Sequence, residues 1–415
     1  MHQRTWLSLL TLPLVVAFTV PMLHQQEPKP AAKVEPVPTD SSDPLAGLAD
    51  IQDVIAHIRA HYVDVPDMGK AMSGGIQGAL ERANLLNSYL TPAEVALPDP
   101  GQGETGLTLL KTQLYAVVIG VVPDSPASKA GIQVGDRVRK LDGESMGTMS
   151  HWAMERRLRG PVGSEIAVYC MPQGSSELKK VTLTREKPGR PAIQSRLESK
   201  AVMVTLPDLA DGRAKELLGI LKPADKRRPL VLDLRTCIGG TYDEAAKVAS
   251  ILGFKGVFAV MQEAGAPDRK IEAPASEVVD FPKIAVLTGL GTIGPAETLA
   301  VAIRHLGDRD GESAKDAKTV VTLGERTIGQ AVERKRFPLK HGGAVELVTR
   351  RWMGAKGEAL DKSGPAPDYT LRGVPEDEDL LPRILEALEK GPPQTLEKAH
   401  KVAFVALPTL YPTLA

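Results

Sequence analysis

A glycine-rich turn after an apolar segment could carry the nucleophile of a hydrolase. The stretch "LTGLGTIGPAETL", residues 287–299, reads as the end of a buried strand, a tight turn and the start of a helix. Hydrolases place a nucleophile at such a joint because the sharp turn exposes the side chain at its tip. Within residues 291–297, however, Thr292 carries the only hydroxyl group and the middle of the turn is Gly294. The turn has the pattern of an active-site elbow without a serine.

A thiol and a pair of glycines follow a second apolar segment, in "LVLDLRTCIGG". Cys237 would be reactive only beside a cation or base that stabilises its thiolate, and the motifs place neither His305 nor His341 there. We therefore expect Cys237 to be a small buried residue in a tight turn. For Asp233 and Arg235 we expect an ion pair that fixes the turn, not a catalytic pair.

Neither the histidines nor the overall charge indicates a metal, a cofactor or a nucleic acid. His57 and His61 lie four residues apart on a predicted surface helix, and no third metal ligand is close in sequence. Lysines plus arginines number 51 and acids also number 51, so nothing favours a nucleic-acid or anionic-membrane partner. We expect no metal and no cofactor.

The first 99 residues separate into three parts. Residues 1–23 place Arg4 ahead of an apolar run, which is typical of a signal peptide or of an uncleaved signal anchor. We therefore expect an extracytoplasmic location, in the periplasm or cell envelope, with membrane contact only through this segment if it is uncleaved. Residues 24–47 form a proline-rich linker. Residues 48–99 form an N-terminal helical region with two short amphipathic helices.

Residues 100–188 alternate short apolar strands with glycine turns, which predicts a small β-rich domain. The stretch "PDSPASKAGIQVGDRVRKLDGESM", residues 123–146, resembles the centre of a PDZ domain of the bacterial protease-associated kind. Such a domain binds a peptide C-terminus, which adds as a strand to the edge of its sheet. The resemblance places the carboxylate-binding loop at Gly106, Leu107, Thr108 and Leu109.

After residue 188 apolar runs alternate with helical stretches. Continuous apolar runs separated by helices favour parallel strands that are buried on both faces, hence an α/β domain over residues 189–375. Residues 376–415 are predicted to form a C-terminal helix followed by an apolar tail.

The order of these parts resembles that of the C-terminal processing, or tail-specific, serine peptidases. The clearest motifs are "DLR" with Gly239 and Gly240, and "GERTIG" at residues 324–329. The resemblance implies a crotonase-like α/β peptidase domain beside the PDZ domain, with the glycine pair in the oxyanion hole. In this family a serine nucleophile and a lysine base hydrolyse peptide bonds near substrate C-termini.

Both catalytic positions differ from the family pattern. Aligned on residues 291 and 297 of the elbow, the family's serine falls on Gly294. Aligned on "GERTIG", its lysine falls on Gln330 and the glutamine that supports the lysine falls on Arg334. Glycine has no side chain and a neutral amide does not act as a base, so the family's catalytic set is not intact.

We therefore predict an exported, non-catalytic homologue that binds peptide C-termini through its PDZ domain. Its candidate partners are the C-terminal tails of exported proteins or peptides, and an active paralogous peptidase. The alternative is an active serine-type endopeptidase that cleaves near protein C-termini with displaced catalytic residues. In that case Thr292 or Cys237 would supply the nucleophile, and Lys315, Lys318 or Lys335 the base.

Overall fold

The computed structural model describes residues 46–197, 200–308, 318–361, 363–371 and 380–393. The chain divides into two compact units, Met1–Pro66 and Asp67–Ala415. In the first unit, helix α1 (Ala46–His61) is largely exposed and carries the stacked rings of His57 and His61. The predicted export segment, most of the linker and the apolar tail lie outside the described residues. Within the described ranges, no helix has the length and apolar character to cross a membrane.

The second unit begins with helix α2 (Met68–Ala83), strand β1 (Ser88–Leu90) and the short helix α3 (Pro92–Val95). The side chain of Asp67 caps α2 by accepting a hydrogen bond from the Lys70 N–H in the first turn of the helix. Strand β1 pairs antiparallel with β16 (Ala344–Gly354), which lies far along the chain. The predicted helical region over residues 48–99 therefore also contains a short strand, which pairs with a sheet of the large domain.

The predicted small β-rich domain contains a six-stranded antiparallel sheet. Its strands follow the order β2-β3-β4-β6-β7, and β5 pairs with β4. Their bounds are β2 (Leu107–Lys111), β3 (Ala116–Val121), β4 (Arg137–Leu141), β5 (Glu144–Ser145), β6 (Glu165–Met171) and β7 (Lys179–Thr184). The short helix α4 (Pro126–Lys129) and helix α5 (His151–Leu158) belong to the same domain, and Met154 and Leu158 of α5 pack into its core. Strand β2 lies at one edge of this sheet.

The large domain contains the predicted sheet of buried parallel strands. The order is β17-β14-β13-β10-β9-β8, in which β8 alone runs antiparallel to its neighbour. The bounds are β8 (Gln194–Leu197), β9 (Val202–Thr205), β10 (Leu230–Asp233), β13 (Lys283–Thr288), β14 (Thr319–Gly324) and β17 (Tyr369–Thr370). All four residues of β10 are buried, as expected for a strand that is covered on both faces.

Helices cover both faces of the parallel sheet. On one face pack α6 (Arg213–Leu221), α7 (Tyr242–Ile251) and α8 (Pro295–His305). On the other face, helix α9 (Leu381–Lys390) packs with Ile384, Ala387 and Leu388 against strand residues such as Val231. The predicted C-terminal helix is thus part of the large domain, and its described portion ends at Lys390.

A second, antiparallel sheet of the large domain was not predicted. It combines β1 and β16 with β11 (Gly256–Glu263), β12 (Arg269–Ala273) and β15 (Val332–Pro338). Strand β15, "VERKRFP", carries charged residues and has no fully buried residue, so it lacks the apolar run that identified the parallel strands. Trp352 and Ala259 from this sheet join the core around α7 and α8.

Candidate functional site

The elbow lies between the end of β13 at Thr288 and the start of α8 at Pro295. Thr292 is fully buried inside this turn. Its Oγ1 donates to the Leu234 carbonyl at 2.8 Å and accepts from the Gly289 N–H at 2.9 Å. The hydroxyl of Thr292 therefore braces the turn against the neighbouring strand and does not face the cleft described below.

Gly294 holds the tip of the elbow in a backbone conformation that L-residues rarely adopt, with φ 58° and ψ −111°. A side chain in this left-handed region costs energy, and nucleophile elbows carry that strain. A Cβ built on Gly294 would meet nothing closer than 3.7 Å, where its neighbours are the Gln330 carbonyl and the Tyr242 hydroxyl. The position thus has space for a side chain but carries none.

Glu297 joins the elbow to the "GERTIG" segment. Its Oε1 accepts from Thr327 Oγ1 at 2.5 Å and from the Gly329 N–H at 2.8 Å. Its Oε2 accepts from the N–H groups of Gly294 and Gln330, each at 3.0 Å. Complete burial raises the pKa of Glu297 to about 7, although these four hydrogen bonds favour the ionised form. One carboxyl group therefore fixes the distance between the two predicted catalytic positions.

A cleft of about 370 Å³ opens at the elbow. We call it the elbow cleft. Four of the predicted site residues line it together, Gly239, Gly240, Gly294 and Gln330. Its other lining residues are Thr241, Tyr242, Asp243, Arg269, Ile271, Ile293, Pro295, Val332, Glu333 and Trp352. No acceptor within the described residues binds the N–H groups of Gly239 and Gly240. These groups are available to a carbonyl oxygen, as an oxyanion hole requires.

An aromatic pair forms one wall of the cleft and was missed by the sequence analysis. The rings of Tyr242 and Trp352 stack with their centroids 3.9 Å apart and their planes 18° from parallel. Trp352 Nε1 donates to Glu333 at 2.9 Å, which fixes the indole. These residues come from α7, β16 and β15, and no sequence motif connects the three segments.

Among the described residues that line the cleft, no nucleophile is paired with a base. No lysine, histidine, serine or cysteine is among its lining residues. Of its two hydroxyl groups, that of Thr241 caps α7 by accepting from the Glu244 N–H at 3.1 Å. Burial, together with nearby Glu297 and Glu333, raises the pKa of Tyr242, so its hydroxyl stays protonated.

The other candidate nucleophile and bases lie elsewhere. Cys237 is fully buried, and burial raises the pKa of its thiol. Lys318 binds the Leu252 carbonyl and Asp280, and the exposed Lys335 lies over the ring of Phe337. Lys315 falls outside the described residues.

Arg334 does not face the elbow cleft. It contacts Glu155 on helix α5 of the PDZ-like domain at 2.8 Å and Glu346 of β16 at 3.6 Å. Partial burial opposes ionisation of Glu155, but hydrogen bonds and charges from His151 and Arg334 outweigh it and lower its pKa to about 2. The residue at the supporting position therefore joins the two domains instead of supporting a base.

The predicted ion pair of Asp233 and Arg235 is present. Arg235 Nη2 lies 2.7 Å from Asp233, whose carboxylate also accepts from the Arg235 N–H at 3.0 Å. This pair closes the turn after β10, close to the elbow.

The predicted peptide-binding residues lie apart from the elbow cleft. The Gly106 carbonyl accepts from the Val122 N–H at 2.8 Å, and Leu107, Thr108 and Leu109 begin β2. Strand β2 pairs only with β3 among the described strands, and helix α5 packs against it. An edge strand beside a helix is an arrangement to which an extended peptide can add.

Family comparisons agree with the two domains. Residues 200–371 match the model of peptidase family S41, and residues 117–168 match that of the PDZ domain. The carboxy-terminal-processing protease of Bartonella bacilliformis is 24% identical over 335 residues, which cover 78% of this chain and 75% of that protein. The chloroplastic carboxyl-terminal-processing peptidase 2 of Arabidopsis thaliana is 27% identical over 328 residues, 76% of this chain and 58% of that protein.

A solved structure shares the fold. The photosystem II D1 C-terminal processing protease matches with a TM-score of 0.59 and 21% identity, covering 81% of this chain and 90% of that one. At this identity the match shows that the two chains share a fold.

Proposed function

We propose that this chain, whose large domain is a peptidase family S41 domain and which also carries a PDZ domain, binds polypeptide C-termini without hydrolysing them. The observation that carries the proposal is Gly294 at the tip of the elbow, in a cleft whose described lining residues include no lysine or histidine. Covalent hydrolysis needs a hydroxyl or thiol within hydrogen-bond reach of a base. The described lining residues contain no such pair.

The remaining features of the cleft suit binding. The N–H groups of Gly239 and Gly240 can donate to a peptide carbonyl, and the Tyr242–Trp352 wall offers apolar contact. A segment of a captured polypeptide can therefore lie in the elbow cleft while its C-terminus is held at β2. The bound polypeptide would then dissociate with all of its peptide bonds intact.

The partners follow from the same proposal. The ligand class is the C-terminal tail of an exported protein or peptide, in keeping with the N-terminal segment expected to direct this chain outside the cytoplasm. An active paralogous peptidase is a second candidate partner, to which this chain would present a captured tail.

A binding and cleavage assay on the full chain tests the proposal. The probe is an unstructured, fluorescein-labelled peptide that ends in an apolar residue with a free carboxylate, and its C-terminal amide is the control. We expect saturable binding of the acid form, at least tenfold weaker binding of the amide, and no cleavage product by mass spectrometry. Cleavage that disappears in Thr292→Ala or Cys237→Ala would overturn the proposal in favour of the displaced-nucleophile alternative.

Restoring the missing groups is a second arm of the same assay. Gly294→Ser combined with Gln330→Lys should produce cleavage that the unmodified chain lacks, because the Gly294 position is open and Gln330 lies beside it. The matched control, Gly294→Ala with Gln330→Lys, imposes the same backbone strain without a hydroxyl and should stay inactive. A folded serine–lysine variant that binds the probe but shows no turnover would contradict the view that only these side chains are missing.

A further inference from the structure

A second cleft, on the PDZ domain, is lined by four arginines. It encloses about 450 Å³ and shares no residue with the elbow cleft. Arg156 and Arg157 belong to α5, Arg159 follows that helix, and Arg185 follows β7. We call it the arginine cleft.

Three of these guanidinium groups have no carboxylate partner in the part of the chain that the structure describes. Arg157 forms an ion pair with Glu144. Arg156 and Arg159 donate only to backbone carbonyls. Arg185 donates to one hydroxyl and two backbone carbonyls, at 2.6 to 3.0 Å. The cleft therefore has an excess of positive charge.

Arg185 is the buried member of the group. It is only 7% exposed, and its Nε has no hydrogen-bond partner within the described residues. Burying a cation without a counter-ion is unfavourable, and burial lowers the pKa of Arg185, with only the charge of Asp142 opposing this. Because its Nη1 and Nη2 are engaged and its Nε is occluded, Arg185 adds uncompensated positive charge beneath the cleft and does not itself contact a ligand.

The single carboxylate that lines the cleft does not supply this partner. Glu94 accepts from both the N–H and the Oγ1 of Thr91, each at 2.8 Å, in the capping box of α3. It is therefore already engaged in capping α3. An added anion would face the guanidinium groups of Arg156 and Arg159, whose planar N–H pairs match carboxylate oxygens.

The arginine cleft adjoins the predicted tail-binding edge. Gly160, one of its lining residues, exchanges two backbone hydrogen bonds with Gly103, at 2.7 and 3.0 Å. Gly103 lies three residues before Gly106 and four before Leu107, where β2 starts. A peptide that adds to β2 therefore places its last residues close to the arginine cleft.

We propose that the arginine cleft binds the carboxylates of acidic residues near the C-terminus of the captured peptide. This inference rests on the proposed function and specifies its ligand. The captured tail would carry acidic residues just before its apolar C-terminal residues. Charge complementarity is the reason: Arg156 and Arg159 have no carboxylate partner among the described residues, and each can donate to one carboxylate, with the buried charge of Arg185 nearby.

Three labelled peptides test the inference by fluorescence anisotropy on the full chain. The first ends in Asp-Glu-Asp-Leu-Ala, the second in Asn-Gln-Asn-Leu-Ala, and the third is the C-terminal amide of the first. We expect the acidic acid-form peptide to bind about tenfold more tightly than the neutral one at low salt. This advantage should shrink at 0.5 M NaCl, since ionic contacts near the surface are screened.

Two double variants localise the effect. Arg156→Gln with Arg159→Gln should abolish the preference for the acidic peptide while leaving the affinity for the neutral peptide within twofold. Arg139→Gln with Lys140→Gln removes the same charge from exposed positions of β4 and should retain the preference. Thermal unfolding by circular dichroism verifies that both variants are folded.

The outcomes separate this inference from the proposed function. Suppose that the acidic peptide binds equally well with a free and with an amidated C-terminus, and that its affinity falls in the Arg156/Arg159 variant. That result would support the arginine cleft and contradict tail capture. Equal affinity for acidic and neutral peptides would overturn the inference and leave tail capture intact. The inference would also be overturned if 10 mM inorganic phosphate displaced the labelled peptides although acidic and neutral peptides bound equally well. That result would indicate that the arginine cleft is a phosphate site.

Discussion

Glu297 is the residue that most directly determines the geometry of the elbow cleft. Four hydrogen-bond donors from the elbow and from residues 327–330 meet on its two oxygens, and no part of it is exposed. In an elbow without a nucleophile, this carboxyl group still holds both halves of the site in place. The contacts that shape the site therefore do not depend on a side chain at position 294, because Gly294 takes part through its backbone N–H.

The protonation of Glu297 should make stability depend on pH. Its pKa is about 7 in the folded chain and near 4.5 in the unfolded chain, so the folded state binds the proton more tightly. Stability should fall as pH rises from about 4.5 to about 7, by a term on the order of 3 kcal/mol, and then level off. Urea unfolding at pH 5.0 and 7.5 measures this loss.

Glu297→Gln isolates this effect from the titration of the histidines. The amide does not titrate between these pH values. The free energy of unfolding should therefore fall less between pH 5.0 and 7.5 in the variant than in the unmodified chain, and the difference should equal the contribution of Glu297. The variant should also be less stable at both pH values, because its NH₂ group faces backbone donors. An unchanged pH dependence in Glu297→Gln would show that the carboxyl group is ionised throughout.

At the scale of elements, helix α5 connects the two domains. Its Glu155 contacts Arg334 of β15, and its Arg156 and Arg157 line the arginine cleft. A charge at residue 334 therefore acts on the helix that packs beside the tail-binding edge, and not on the elbow cleft. Through this ion pair the large domain holds helix α5 of the PDZ domain in place.

Arg334→Gln should loosen α5. Hydrogen exchange of the backbone amides in residues 154–158 is expected to rise about twofold to fivefold, since a partly exposed ion pair contributes up to about 1 kcal/mol. Hydrogen-exchange mass spectrometry measures this change. Arg350→Gln is the matched control, because Arg350 also forms ion pairs in this sheet, with Glu263 and Glu333, and its described contacts do not reach α5. Equal exchange in both variants would argue against an anchoring role for Arg334.

At the scale of the whole second unit, the PDZ domain packs directly on the elbow. Ile119 of β3 shares an apolar cluster with Ile328 of the large domain, and Leu290 and Ile293 of the elbow pack against it. A Cβ on Gly291 would lie 2.6 Å from the Arg235 carbonyl and 2.7 Å from the Ile119 carbonyl. The elbow and the PDZ sheet thus lie so close together at Gly291 that there is no space for a side chain.

Gly291→Ala should therefore strain this interface. Both obstructing atoms are backbone oxygens that cannot rotate away, so we expect a loss of about 1–3 kcal/mol in stability, as found for overpacked cores. Gly289→Ala, two residues earlier, is the control, because its Cβ would meet nothing closer than 3.5 Å. Urea unfolding of both variants measures the difference. A Gly291→Ala chain as stable as the control would show that the domains can separate at this contact.

Much of the fold could be predicted from local patterns. Continuous apolar runs identified the buried parallel strands β10, β13 and β14, because a strand covered on both faces has to be apolar throughout. The charged strand β15 and the three-residue β1 were missed. Their place in the sheet depends on pairing with β16, and such distant pairing leaves no periodic signal in either segment.

The sequence by itself determined the two domains, the elbow and the absence of a serine at Gly294, since these follow from motifs and residue types. Tertiary structure alone decided which residues surround that glycine. The Tyr242–Trp352 wall, the Glu155–Arg334 contact and the arginine cleft each join segments that are distant in sequence. Local spacing fixes which side chains a segment carries, but the packing of sheets and helices fixes which of them meet.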